Sequence, residues 1–99
     1  MNINKKKGCM NWKEKYILSL KEEFSIKEIM LLRECGAPKA RQLREEALNY
    51  CISHHISFNA NQKIPAEALF AITGKNIDFY KQKMVAESLV EQLPLQQYA

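Results

Sequence analysis

Lys39, Arg41, Gln42 and Arg44 bring recognition chemistry together in one short stretch. Lysine and arginine bond phosphate oxygens and the acceptor edge of guanine, and glutamine matches the donor–acceptor pair of adenine. Pro38 stands just ahead of them, where a helix can begin without losing a hydrogen bond. The backbone amides that follow are then free to face a phosphate. A second polar group, Asn59, Asn61, Gln62 and Lys63, is rich in the residues that occupy tight turns. On the tip of a hairpin it would form a second contact, with Lys63 set against a backbone phosphate.

Catalytic and metal chemistry find little support. His54 and His55 are neighbours, so on one helix end they point to different sides and do not share a metal. A positively charged histidine there simply answers the helix dipole. The thiols Cys9, Cys35 and Cys51 are odd in number and include no C-x-x-C pair, which argues against a disulfide framework or a structural zinc site. Free thiols fit a reducing cytoplasm. Cys51 is near His54 and His55 in sequence, a spacing too common to mark a nucleophile. Glu22-Glu23 and Glu45-Glu46 read as surface pairs, and the three glycines are isolated, so no phosphate-cradling loop exists. The expectation is a protein without enzymatic activity, cofactor or metal.

The elements that would position the basic stretch follow from caps and periodicity. Asn11 caps a first helix running to about Lys21, with Trp12, Tyr16, Ile17 and Leu20 as its apolar stripe and Phe24 continuing the row. Ser25-Ile26-Lys27-Glu28 has capping-box spacing and opens a second helix, Ile26 to Cys35, with Ile29, Met30 and Leu32 inward. Gly36 stands where a helix takes a left-handed stop. Pro38 then begins a third helix reaching about His54, whose stripe is Ala40, Leu43, Ala47, Tyr50 or Cys51, and His54. The stretch from Ile56 to Ile64 reads as a small hairpin around Asn59-Ala60-Asn61. Pro65 opens a short helix to Thr73, stopped by Gly74. Asn76 or Asp78 caps a last helix, Phe79 to Leu93, ended by Pro94.

The 99 residues make one small domain over residues 11–93, followed by a flexible tail at 94–99. Residues 1–10 are either a basic arm or a stretch ahead of a translation start at Met10. The hydrophobic share of 46% suits a soluble chain, and no run approaches a membrane span. The net charge of +4 is unevenly placed: residues 1–50 hold 11 basic and 7 acidic side chains, and the remainder holds 4 of each. Lys5, Lys6 and Lys7 account for most of the excess. A nucleic-acid argument therefore rests on the local cluster at Lys39–Arg44 rather than on bulk charge.

The order of three pieces is informative: Phe24-Ser25-Ile26-Lys27-Glu28-Ile29, then Gly36-Ala37-Pro38-Lys39-Ala40-Arg41-Gln42-Leu43, then Lys63-Ile64-Pro65-Ala66-Glu67-Ala68-Leu69. In this order they resemble the small excisionase and recombination-directionality proteins of phages and integrative elements. The third helix is longer than is usual there, and Glu45 and Glu46 make its second turn acidic. The resemblance implies a mainly α, compact winged helix-turn-helix with one small β-hairpin and a C-terminal helix. It also implies binding to double-stranded DNA, in partnership with an integrase or as a transcriptional regulator, in the cytoplasm. The apolar side of the last helix, Phe79, Val85, Leu89 and Leu93, would close the core, pair in a homodimer or dock the integrase. The alternative is a small helical protein-interaction module, a phage inhibitor or antirepressor, that keeps the fold without binding DNA.

Overall fold

The computed structural model describes residues 10–58 and 63–92. The basic arm at residues 1–9, the centre of the expected hairpin and the tail from 93 onward lie outside the described residues. Within them the chain is mainly helical, with five helices and one two-stranded antiparallel sheet.

Helix α1 (Trp12–Ser19) starts at a reciprocal cap. The Glu14 amide donates to Asn11 Oδ1 at 2.8 Å, and the Asn11 amide donates to Glu14 Oε1 at 3.1 Å. Its buried face differs from the apolar stripe. Ile17 and Leu20 are 56% and 51% exposed, whereas Lys15 and Ser19 are buried and Trp12, Tyr16 and Leu18 are half-buried. Two polar residues can replace apolar ones because both are satisfied. The Ser19 hydroxyl donates to the Tyr16 carbonyl at 2.6 Å. The Lys15 ammonium donates to Glu34 and lies 4.2 Å from the centre of the Trp12 ring.

Strand β1 (Glu23–Phe24) pairs with strand β2 (Ile64–Pro65), Glu23 opposite Pro65 and Phe24 opposite Ile64. The Ala66 amide extends the pairing to the Glu22 carbonyl at 2.8 Å. The expected pairing of Ile56–Phe58 with Ile64 is thus corrected. Phe24 and Ile64 are both fully buried and give the strands a shared apolar anchor, whereas Phe58 is 38% exposed and has no such seat. Pro65 lacks an amide but fits a two-residue edge.

Helix α2 (Ile26–Arg33) has the capping box read from its sequence: the Glu28 amide donates to Ser25 Oγ at 3.2 Å and the Ser25 amide to Glu28 Oε1 at 2.9 Å. Its end falls earlier than expected. Glu34, not Gly36, takes the left-handed conformation, with φ 50° and ψ 55°. Gly36 is extended at φ −81° and ψ 174° and precedes helix α3 (Ala37–Ser53), with Pro38 in the first turn. Along α3 the buried residues are Ala40, Leu43, Ala47 and Cys51, while His54 is exposed beyond the helix end.

Helix α4 (Ala66–Thr73) stops at Gly74, left-handed at φ 73° as the sequence suggests. Helix α5 (Ile77–Gln92) begins where Asn76 Oδ1 accepts from the Phe79 amide at 3.0 Å.

The core lies between α2, α3 and α4 over the β1–β2 pair. Phe24, Ile29, Leu32, Ile64 and Leu69 are its largest apolar side chains. Helix α5 packs on α1, and the pair meets the core through the buried Tyr80 and the half-buried Trp12, Tyr16, Leu18 and Phe79, with two polar bonds beside them, from Lys15 to Glu34 and from Arg33 to the Tyr80 hydroxyl at 3.2 Å.

A left-handed non-glycine residue costs about 1–2 kcal/mol, and Glu34 holds that conformation while pairing with Lys15. Glu34→Ala loses the pair and keeps the strain; Glu34→Gly loses the same pair and relieves it. In urea unfolding, Glu34→Gly is expected to exceed Glu34→Ala in stability by about 1 kcal/mol. Equal stabilities would show that the strain is not carried at this residue.

Candidate nucleic-acid interface

The basic stretch opens α3, and three constraints hold it in place. The capping box fixes the start of α2, the strained residue Glu34 sets the turn, and Leu43 and Ala47 seat the helix on the core. Lys39, Arg41 and Gln42 are exposed on the first two turns, and Arg44 is half-buried. Ala40, Leu43 and Ala47 define the inward side. Gln42, Glu45 and Asn49, at i, i+3 and i+7, define an outward one, and all three are exposed. The most protruding line of α3 therefore carries two amides and one carboxylate, with Lys39 and Arg41 to its sides. The Gln42 side-chain amide donates to Glu46 Oε2 at 3.2 Å. Any base contact by Gln42 must displace that bond.

Of the four residues expected at a wing tip, Lys63 is exposed beside β2. Asn59, Asn61 and Gln62 lie outside the described residues. The β1–β2 pair fixes the chain that leads away from Lys63, through the buried Phe24 and Ile64.

An open cleft of about 300 Å³ lies behind the turn, lined by Arg33, Cys35, Lys39, Leu43, Glu46, Ile72 and Thr73. Burial pushes the Cys35 thiol up, and the nearby Arg33 and Lys39 charges only partly oppose it. Burial, with Glu67 adding to it, pushes the Cys51 thiol up as well. Neither thiol is activated as a nucleophile. His54 stacks on Tyr50, ring centres 3.9 Å apart, and its Nδ1 is 3.1 Å from the Tyr50 carbonyl, so it finishes α3 rather than facing a site. Among the described residues, no group of three or more His, Cys, Asp or Glu side chains is placed to hold a metal ion. None of their helices is long and apolar enough to cross a membrane.

The apolar side expected on the last helix divides in two. Phe79 is half-buried, edge-on to Trp12 and Tyr80 with ring centres 6.0 Å and 5.1 Å away. Val85 and Leu89 face outward with Val90, and Leu93 lies outside the described residues. Sequence reasoning missed Arg33, Glu34 and Tyr80 as the residues that tie α5 and α1 to the turn. The adjacent aromatic pair Phe79-Tyr80 was the one available signal, since both rings turn inward, onto Trp12 and onto each other.

Comparison with protein-family models, with curated proteins and with solved structures gives no match.

The start of α2 gives this region a defined acid sensitivity. Burial raises the Glu28 carboxyl, but its bonds to Lys21 and to the Ser25 amide outweigh that and hold it below the usual carboxylate range. A folded-state value below the unfolded one stabilises the protein above the unfolded value, and the gain is lost as pH falls through the folded one. Wild-type stability in urea is expected to fall by an extra increment of up to about 1 kcal/mol as pH drops below about 4. Glu28→Gln should lack that increment; an identical acid limb in both proteins would remove Glu28 as its source.

Proposed function

We propose that this chain binds double-stranded DNA sequence-specifically, using the first two turns of α3 in the major groove and the segment around Lys63 on the neighbouring backbone. The observation that carries the reading is the exposed set Lys39, Arg41 and Gln42 at the start of a helix seated firmly on its opposite side. A capped helix, a short turn and a second helix with a basic start is the outline of a helix-turn-helix. In this reading Lys39 and Arg41 bond phosphates and fix the register, and Gln42 leaves Glu46 to read adenine. Arg44, half-buried, steadies the helix side nearest the backbone. Glu45 and Glu46 repel phosphates and limit how deep the second turn can sit. The resemblance to excisionase and recombination-directionality proteins supports a winged helix-turn-helix working beside an integrase, or a transcriptional regulator of a phage or mobile element, in the cytoplasm.

A second reading, a helical protein-interaction module without DNA binding, draws on different residues. Glu45 and Glu46 acidify the α3 face. Ile17 and Leu20 of α1 are exposed, and Met10, Ile17 and Leu18 line an apolar groove of about 330 Å³ with Glu14 and Lys21.

Selection from a genomic fragment library at low salt separates the two. DNA binding predicts retained fragments whose affinity falls steeply with salt. Lys39→Ala and Arg41→Ala should each lower affinity on all sequences and reduce the salt slope by about 1. Gln42→Ala should cost about 1–3 kcal/mol at one base pair only. If no fragment is retained at low salt, the interaction-module reading replaces this one.

A further inference from the structure

We infer that the DNA contact does not end with α3: the phosphate backbone of the bound duplex crosses the bend and continues onto Lys75 and Lys83, at the start of α5. The inference rests on DNA binding by α3 and supplies what α3 lacks. Lys39 and Arg41 are its exposed cations, and the electrostatic part of DNA affinity grows with the number of phosphates neutralised. Lys39 lines the cleft behind the turn together with Arg33 and Thr73. Lys75 is two residues beyond Thr73 and donates its amide to Thr73 Oγ1 at 3.2 Å. From Lys75 the row runs through Phe79 to Lys83, in steps of four residues that keep one side of the helix. Arg33 connects the two ends, since it lines the cleft and bonds the Tyr80 hydroxyl beside Phe79.

The way these lysines are held fits them to an anion. The ammoniums of Lys75 and Lys83 lie 4.8 Å and 5.6 Å from the centre of the Phe79 ring, and Lys83 also lies 5.8 Å from that of Trp12. An aromatic face attracts an ammonium without cancelling its charge. Among the described residues, no carboxylate is within ion-pair reach of Lys39, Lys75 or Lys83. The other ring-held ammonium, Lys15, is the contrast: it is buried and bonded to Glu34. Lys75 and Lys83 are already ordered on Phe79, so meeting a phosphate costs them less rotamer freedom than it costs a free lysine. Carboxylates bound the row. Glu46 lies in the cleft, Asp78 on the first turn of α5, and Glu87, next along the row, accepts from the Trp12 amide. The positive charge is therefore a narrow line, which suits a phosphate chain better than a broad acidic protein surface.

Salt titration of Lys75→Gln/Lys83→Gln on the fragments that the wild-type chain retains tests the inference. The slope of log affinity against log salt should be shallower by about 2, and by about 1 for Lys83→Gln alone, on unrelated duplexes as on the retained ones. Helix content by circular dichroism should stay unchanged. Hydroxyl-radical footprinting should show protection lost on one flank and kept at the base pair that Gln42→Ala affects. Lys75→Arg/Lys83→Arg should keep the wild-type slope, and so should Lys81→Gln, which alters the opposite side of α5. Retained DNA with an unchanged slope in both glutamine variants overturns the inference and leaves binding by α3 standing. An equal loss from Lys81→Gln assigns the effect to overall charge and also overturns it. A wild-type chain that retains no DNA overturns both.

Discussion

Lys15 is a lysine with almost no exposure, and the arrangement of the helices depends on how its charge is accommodated. An ammonium taken out of water is costly unless it is paired and hydrogen-bonded. Here its ammonium lies over the Trp12 ring and bonds the Glu34 carboxylate. Glu34 is about half in solvent (48%), so the attraction is partly screened. The larger effect is positional. Glu34 is the turning residue between α2 and α3, and its neighbour Arg33 bonds Tyr80 of α5. The α1–α5 pair therefore grips the polypeptide at the bend itself. The direction in which α3 leaves the bend is set by contacts with both the core and the outer pair.

This grip bears on a helix of 17 residues whose outer side is polar along its length but whose exposed cations, Lys39 and Arg41, stand only at its start. Its middle is held by Leu43, Ala47 and Cys51, small or medium residues that let α2 and α4 approach closely. Its far end is finished by the Tyr50–His54 stack. The first two turns project from the bend with their cations unburied. The carboxylates of Glu45 and Glu46 follow at once, so the positive region is short and its edge is sharp. A partner that binds here must be satisfied by two or three positive contacts.

Much of the fold was legible because its signals are local. The Ser25–Glu28 box, Gly74 and the Asn76 cap each need only a few neighbouring residues, and each lies where periodicity and cap chemistry put it. The misreadings share a cause: they needed non-local information. The α1 stripe holds at Trp12 and Tyr16 and fails at Ile17 and Leu20, because Lys15, paired with the distant Glu34, and Ser19, bonded to the Tyr16 carbonyl, take the inward places, and no apolarity count registers a satisfied polar group. Gly36 looked like the stop because glycine is the usual left-handed residue, yet the bond from Lys15 holds Glu34 there instead. The strand at Ile64 was recognised but given the nearer partner, since Phe24 becomes its neighbour only once α2 and α3 have folded back. The basic start of α3 was legible as a cluster, whereas the division of α5 into an inner and an outer side depended on where α1 lies.

The β1–β2 pairing has a consequence for how the chain assembles. Glu23 and Pro65 lie opposite each other across a sheet of two short strands, although roughly 40 residues separate them. Two residues on each side supply too little ladder to close such a span unaided. The α2–α3 hairpin is local and shortens the gap first, so the strands join only after it is in place. The sheet then acts as a clasp on a finished unit. Changes in chain length between α3 and β2 should slow the clasping step only weakly, because closure entropy grows with the logarithm of length, whereas disruption of the α2–α3 bend would leave the clasp with nothing to close upon.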